Sequence, residues 1–330
     1  MQPLFSNLSR LILVIAGLTL ACESASAAES QSWPTQTVRI IVGYPPGASP
    51  DTLARLIADP LSRAIGKAVI VENKQGAAGN LGVDAVVKSS DGHTLGITTF
   101  GPLTTSKRLF KHLPYDPAKD VTPLSLAATS PLVLVCDVSL PLTSLKEFLA
   151  WAKIQQDGVT YGSIGIGTGS HLAMELFATK SGIQVVHVPY QGIPQVTTAI
   201  LSHQVQAAFM PPSGALAQSK AGKLRMLAVS APQRWPLMPD LPTVAEAADL
   251  PEFKGELWIG VFGPATMPPA VAARLSAEID TVLKQPEIRD QLLSQGWQVV
   301  GGGAEVLRRR MANDTVLWGR VIQEAKVPME

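Results

Sequence analysis

Apolar positions along this chain fall into short, continuous, often β-branched runs separated by stretches of helical periodicity. Val38 to Val42 reads as a fully buried parallel strand, and strand signals recur at Ala68 to Val71, Thr94 to Thr98, Leu132 to Cys136, Val185 to Val188, Val205 to Phe209, Leu224 to Val229 and Trp258 to Phe262. Helical spacing fills most of the gaps, as at Leu145 to Lys153, Ala173 to Lys180 and Ala270 to Lys284. Alternation of this kind predicts an α/β chain with mainly parallel sheets. From Pro268 on the pattern is helical only, with Gly296 as a stop and a last amphipathic helix carrying Val306, Leu307, Met311, Val316, Leu317 and Val321.

Two stretches combine strand, glycine-rich loop and helix start: Val38 to Ile57 and Val159 to Phe177. In the first, Ser49 is placed as the N-cap, Pro50 at the first helical position and Asp51 at the positive end of the helix dipole. Leu53, Leu56, Ile57 and Leu61 then share a face, with a kink expected at Pro60. A helix start leaves amide donors unpaired, so each unit is able to hold a small anion with neutral groups. Neither loop contains Lys, Arg or Cys. The units begin roughly 120 residues apart, each with neighbouring strands enough for its own sheet, which predicts two lobes. Pro-containing segments at Thr129 to Leu132 and Arg234 to Leu241 are the expected crossings. They divide the chain into residues 29–131 with 235–330 for one lobe and 132–234 for the other.

The chain has 330 residues, 46% of them hydrophobic, which suffices for two sizeable cores. Its 27 basic and 26 acidic residues leave a net charge of +1 with no basic stripe, which argues against nucleic acid as a partner. At the N-terminus Arg10 precedes an apolar run, Leu11 to Ala21, and a small-residue tract, Ser24 to Ala28. That is the layout of a secretory signal over residues 1–28, and the run is shorter than the ~20 residues a membrane span needs. Cleavage after Ala27 or Ala28 would leave Cys136 as the sole cysteine and no internal disulfide. Cys22 leaves a lipid anchor as the alternative.

In the first loop Pro45 and Pro46 stiffen the entry and Gly47 allows close approach of a ligand, although a plain strand-to-helix connection explains the same residues. The second loop sets Gly165, Gly167 and Gly169 among Ser163, Thr168 and Ser170, a flexible nest able to wrap a carboxylate. No GxxxxGK[ST] occurs, and Gly165-Ile166-Gly167 lacks the rest of a dinucleotide fingerprint, so neither phosphate loop nor cofactor site is expected. His171 opens a helix, where a neutral imidazole is favoured, and capping or packing is its alternative role. His171 and Glu175 alone make no metal site, and no Ser, His and Asp arrangement suits a hydrolase. Thr99 and Phe100 end a strand and offer a hydroxyl and an aromatic wall, with a plain buried strand end as the alternative. Tyr190 ends another, where a packed ring is the simpler reading.

Taken together, Val42 to Asp51, Val71 to Gly79, Asp91 to Leu95, Gly169 to Leu172, Val188 to Gly192, Gly222 to Ala228 and Leu241 to Glu246 closely resemble the solute receptors of tripartite tricarboxylate transporters, the Bug family. The match runs in order from about Trp33 to the C-terminus. It implies a type II periplasmic binding protein fold: α/β, two-lobed, with a hinge and an interlobe cleft. It further implies capture of a small carboxylate in the periplasm and delivery to the permease subunits of a tripartite tricarboxylate transporter, by a monomer without catalytic residues, cofactor or metal.

By position the resemblance places ligand contacts at Tyr44, Gly47, Ser49, Thr99, Ser163, Thr168, Ser170, His171 and Tyr190. Pro46, Ala48, Phe100, Gly167 and Met210 complete the candidate set. Two departures stand out. Ala48 replaces a glycine common in the family, and Gln206-Ala207-Ala208-Phe209-Met210 lacks an aspartate that many members carry. With Phe209, Met210, Pro211 and Pro212 in its place, an aromatic or otherwise apolar-bodied carboxylate is expected. An exported hydrolase or transferase, or a ligand sensor for a membrane partner, are the competing functions.

Overall fold

The strands of this protein assemble into two separate mixed sheets. A computed structural model describes residues 33–329. The export signal expected over residues 1–28, with Cys22, lies outside the described residues.

In chain order the elements are β1 (Val38–Val42), α1 (Ser49–Ile65), β2 (Val69–Asn73), α2 (Asn80–Val87), β3 (Thr94–Thr99), α3 (Phe100–Thr104), α4 (Ser106–Leu109), β4 (Val121–Ser130), β5 (Val133–Asp137), α5 (Leu145–Ala152) and β6 (Val159–Ser163). They continue as α6 (Gly169–Ser181), β7 (Val185–Pro189), α7 (Ile193–Leu201), β8 (Ala207–Met210), α8 (Pro212–Lys220), β9 (Leu224–Val229), α9 (Val244–Ala248) and β10 (Leu257–Pro264). The C-terminal part is α10 (Pro269–Leu283), α11 (Pro286–Ser294), β11 (Gln298–Val299) and α12 (Gly303–Glu324).

The first lobe is built on the order β11-β4-β10-β3-β1-β2 and the second on β7-β6-β8-β5-β9. β1 pairs parallel with β2 and β3, and β6 parallel with β7 and β8. The remaining pairs, β10 with β3 and β4, β11 with β4, and β5 with β8 and β9, are antiparallel. The expectation of mainly parallel sheets is thus corrected to mixed ones. Parallel pairing survives where a helix returns the chain, as in β1-α1-β2, and is lost in strands next to the lobe crossings.

β4 was not evident in the sequence, because VTPLSLAATS mixes small residues with Pro123 and has neither strand alternation nor a β-branched run. It is nonetheless nearly fully buried and forms the outgoing crossing into β5. The return lies later than Arg234 to Leu241. Trp235 and Met238 are buried in the core of the second lobe with Val133, Val135 and Ala208. Thr243 bridges Val229 and caps α9 through Glu246, and Phe253 stacks on Phe209 and edge-on to Phe177. Residues 235–253 therefore belong with the second sheet, and the chain crosses back just before Leu257.

α1 illustrates how local signals become packing. Leu53, Ala54, Ile57 and Leu61 are each 0% exposed against the first sheet, at about 1.5–3 kcal/mol for each of the larger side chains. The helix continues through Pro60 to Ile65 and closes on Gly66 in the left-handed region. α12 is amphipathic as expected, except that Val316 faces solvent and Trp318 is the residue buried beside it.

Candidate functional site

β1 ends at Val42, and the glycine that follows packs directly on the backbone just before α2. A Cβ on Gly43 would stand 2.4 Å from the carbonyl oxygen of Gly79. Ala48, in extended backbone, is the residue flanking α1; Ser49 lies within the helix, and no side-chain cap is present. Asp51 in the first turn, 2% exposed, closes the loop onto the helix instead: it accepts the Gly47 amide at 2.8 Å, Asn73 Nδ2 at 2.8 Å and Arg55 Nε at 3.0 Å. Burial alone would raise its pKa, but Arg55, the Gly47 amide and Asn73 outweigh that and hold the carboxyl below its usual range. Gly47 sits at φ +84, which keeps the turn tight. Tyr44 folds under the loop. Its hydroxyl donates to Ala78 O at 3.1 Å and lies 2.5 Å from Thr99 Oγ1, and burial pushes the phenol's pKa up.

The second loop is bonded mainly to itself. Ser163 Oγ accepts the Gly165 amide at 3.1 Å and lies 2.6 Å from His187 Nε2. Ser170 Oγ accepts the Ile164 amide at 3.3 Å, and Thr168 Oγ1 donates to Gly165 O at 2.7 Å. His171 Nδ1 accepts the Gly167 amide at 2.9 Å, so this nitrogen carries a lone pair and the ring is neutral. Beneath the loop His171 stacks on His187 at 4.0 Å, and His187 on Tyr161 at 5.0 Å, whose hydroxyl donates to Glu175 at 2.6 Å. Burial, then the neighbouring His187, lowers the pKa of His171 to about 3, and burial lowers that of His187 to about 4. His187 escaped the sequence reading. It sits in the middle of a plain strand, and only the register Tyr161 to His187 brings it under the loop.

Between the lobes lies a cavity of about 330 Å³, within the range of small-ligand sites. It brings together Tyr44, Thr99, Phe100, Gly167 and Thr168 from the sequence-based set. To these it adds Thr105, Ser106, Leu109, Phe110 and Leu257, which sequence reasoning missed. The lobes touch around it. A Cβ on Gly167 would stand 2.5 Å from Leu109 Cδ1, and one on Gly169 would stand 2.1 Å from Leu257 Cδ2. Phe100 rests on Trp318 and Trp258, with ring centres 6.0 and 6.5 Å apart. Trp258 in turn donates its indole N–H to Asp314 on α12 at 2.6 Å.

The other expected contacts lie elsewhere. Pro46 and Gly47 are exposed, and they and the half-buried Ala48 and Ser49 do not line the cavity. Ser163, Ser170 and His171 are buried and occupied in shaping the loop. Tyr190 gives its amide to Ser163 O at 2.9 Å, and its ring packs on the core of the second lobe. Met210 is 0% exposed, because β8 runs between β6 and β5 with both faces covered. Phe209 is buried likewise, so neither supplies an apolar wall for a ligand. The Ser163 and His187 pair resembles a nucleophile with its base, but Ser163 is 1% exposed and closed off by Gly165. Cys136 is inert, its thiol pushed up to about 12 by burial. No cluster of metal-binding side chains occurs among the described residues.

Two α/β lobes joined by crossing strands, with a cavity where the second glycine loop faces Tyr44 and the end of β3, define a ligand-binding protein of the periplasmic-binding class. The chain belongs to the tripartite tricarboxylate transporter family of receptors, whose family model, TctC, matches residues 53–327. It is 33% identical over 317 residues to the UPF0065 protein in the tcbD-tcbE intergenic region of Pseudomonas sp. strain P51, covering 95% of this chain and 94% of that one. It is 30% identical over 320 residues to BugT of Bordetella pertussis, covering 96% and 98%. Among solved structures, Rpa4515 of R. palustris with adipate superposes with a TM-score of 0.76 at 30% identity, over 90% of this chain and all of that one. MatC of Rhodopseudomonas palustris with bound malate gives 0.71 at 29%, over 88% and 100%. The protein is thus a solute receptor and not an enzyme. No helix among the described residues is long and apolar enough to cross a membrane.

Proposed function

We propose that this protein is an exported, monomeric receptor that captures a small carboxylate between its lobes and delivers it to the membrane subunits of a tripartite tricarboxylate transporter. The observation that carries this reading is the position of the cavity. It is roofed by the start of α6 from one lobe and by Tyr44, Thr99 and Phe100 from the other, so a bound ligand bridges both. The first turn of α6 presents amide donors and a partial positive charge, and Gly169 at its head is part of the lining. A few charge-assisted hydrogen bonds of about 1.5–3 kcal/mol each approach the ~8 kcal/mol of a micromolar complex without any cation. Rpa4515 with adipate and MatC with malate each hold a carboxylate, which supports a carboxylate here without fixing how many the ligand carries. Bridging gives the ligand unequal affinity for open and closed forms, which is the requirement for shifting that equilibrium.

The test is calorimetry with a panel of mono- and dicarboxylates, run beside small-angle scattering. A receptor gives saturable binding, compaction on binding, and recovery of the ligand unchanged. Turnover of a bound carboxylate, or binding with no change in dimensions, would refute the reading.

A further inference from the structure

The cavity lining contains no Lys, Arg, His, Asp, Glu, Asn or Gln; its polar side chains are the hydroxyls of Tyr44, Thr99, Thr105, Ser106 and Thr168. Most of their protons are already committed. Tyr44 donates to Ala78 O, Thr105 to Gly101 O and Thr168 to Gly165 O, while Thr99 shares its short contact with Tyr44. What remains for an anion is the start of α6 with Ser106 and, on the facing wall, the start of α3, where Phe100 and Gly101 also line the cavity. The rest of the wall is apolar and comes from both lobes: Phe100, Pro102, Leu109 and Phe110 on one side, Ile166 on the other, and Leu257 at the return crossing. Ile166 is 37% exposed and so is open to an occupant of the cavity.

From this accounting, which rests on the carboxylate reading above, we propose that the ligand carries one carboxylate on an apolar body, and that the cavity discriminates against dicarboxylates. One carboxylate held between the two helix starts uses these donors, and a second would be taken out of water against apolar side chains with no cation to pair it; an unpaired buried charge is strongly disfavoured. The apolar end makes the opposite distinction, since an aliphatic or aromatic body leaves water as it enters. Phe110 and Ile166 are the specificity-determining residues, because they stand on opposing walls and are only partly buried. The apolar-bodied ligand expected from Phe209 and Met210 thus returns on different residues, with the added restriction to a single charge.

The experiment compares hexanoate with adipate and benzoate with terephthalate by calorimetry, with hexanamide and benzamide as neutral controls. The monocarboxylate of each pair is expected to bind at least tenfold more tightly than the dicarboxylate, and both amides at least tenfold more weakly than their acids. Ile166→Arg and, separately, Phe110→Arg are expected to reverse the order of at least one pair, by placing a cation against the apolar end; Ile166 is exposed enough that its variant folds. Wild-type binding of adipate or terephthalate equal to or tighter than the monoacid overturns the single-charge proposal and leaves the carboxylate receptor standing. Amides that bind as well as the acids, or no binding by any acid, remove the carboxylate reading itself.

Discussion

Acidification should weaken this fold through the stacked pair His171 and His187. Both imidazoles are held neutral in the native state, with pKa values lowered from 6.5 to about 3 and about 4. In the unfolded chain they recover the ordinary value, so below pH 6.5 the unfolded state binds protons that the folded state refuses. Stability contributed by the pair is therefore complete above pH 6.5 and is lost as pH falls toward the native values. At pH 5 both native rings remain neutral. The cost for the fully buried His171 is then about 2 kcal/mol, at 1.36 kcal/mol per pH unit. His187 is partly exposed, and screening reduces its share to about 1 kcal/mol. A combined loss of about 3 kcal/mol is a large fraction of the 5–15 kcal/mol typical of a domain. Glu175, whose pKa is raised by burial, works in the opposite direction, and since its carboxylate lies 3.8 Å from His171 Nε2 both histidine variants are needed to separate the two effects. The assay is urea unfolding at pH 7.5 and pH 5.0 for wild type, His171→Gln and His187→Gln, comparing the change in stability between the two pH values. The His171 variant should lose about 2 kcal/mol less than wild type on acidification. Equal losses in all three proteins would refute the argument that this stack excludes protons.

Gly169→Ala adds a methyl group where Leu257 Cδ2 lies 2.1 Å away, across the contact between lobes. Overpacking of this kind costs about 1–3 kcal/mol, so carboxylate affinity should fall about fivefold to a hundredfold with little change in the melting temperature of the free protein. Leu257→Ala in the same chain should restore most of the affinity, and a double-mutant cycle by calorimetry measures how much. Asp51→Ala leaves the Gly47 amide, Asn73 and Arg55 without their shared acceptor. A loss of about 2–4 kcal/mol in urea unfolding is expected, whereas Ser49→Ala at the neighbouring position, which caps nothing, should stay within about 0.5 kcal/mol.

Much of the fold was legible because its signals are local. β1 and β3 fall where β-branched runs lie between turn residues, and α1 and α10 where apolar spacing has the helical period. Strand direction was not local. Whether β10 runs parallel or antiparallel to β3 depends on the chain leaving one lobe and returning from another, and no window of residues around Trp258 records that. β4 stayed hidden for a related reason, since a strand covered on both faces by close-packed neighbours can use Ala and Ser as readily as Val. The candidate site was legible at its glycines. A loop that needs left-handed backbone at Gly47 and Gly167 must declare it in the sequence. Its walls were not. Leu109, Phe110 and Leu257 look like any core residues until the lobes are set against each other.

The aromatic cluster behind the cavity has a practical consequence. Phe100 lines the binding space and rests on Trp258 and Trp318, so two of the protein's six indoles lie one residue away from any occupant. Trp258 also sits at the point where the chain re-enters the first lobe. On the proposed function, its emission is expected to change on ligand contact and on lobe movement, so that titration and stopped-flow measurement need no added dye, and an emission unchanged by a saturating ligand would refute this.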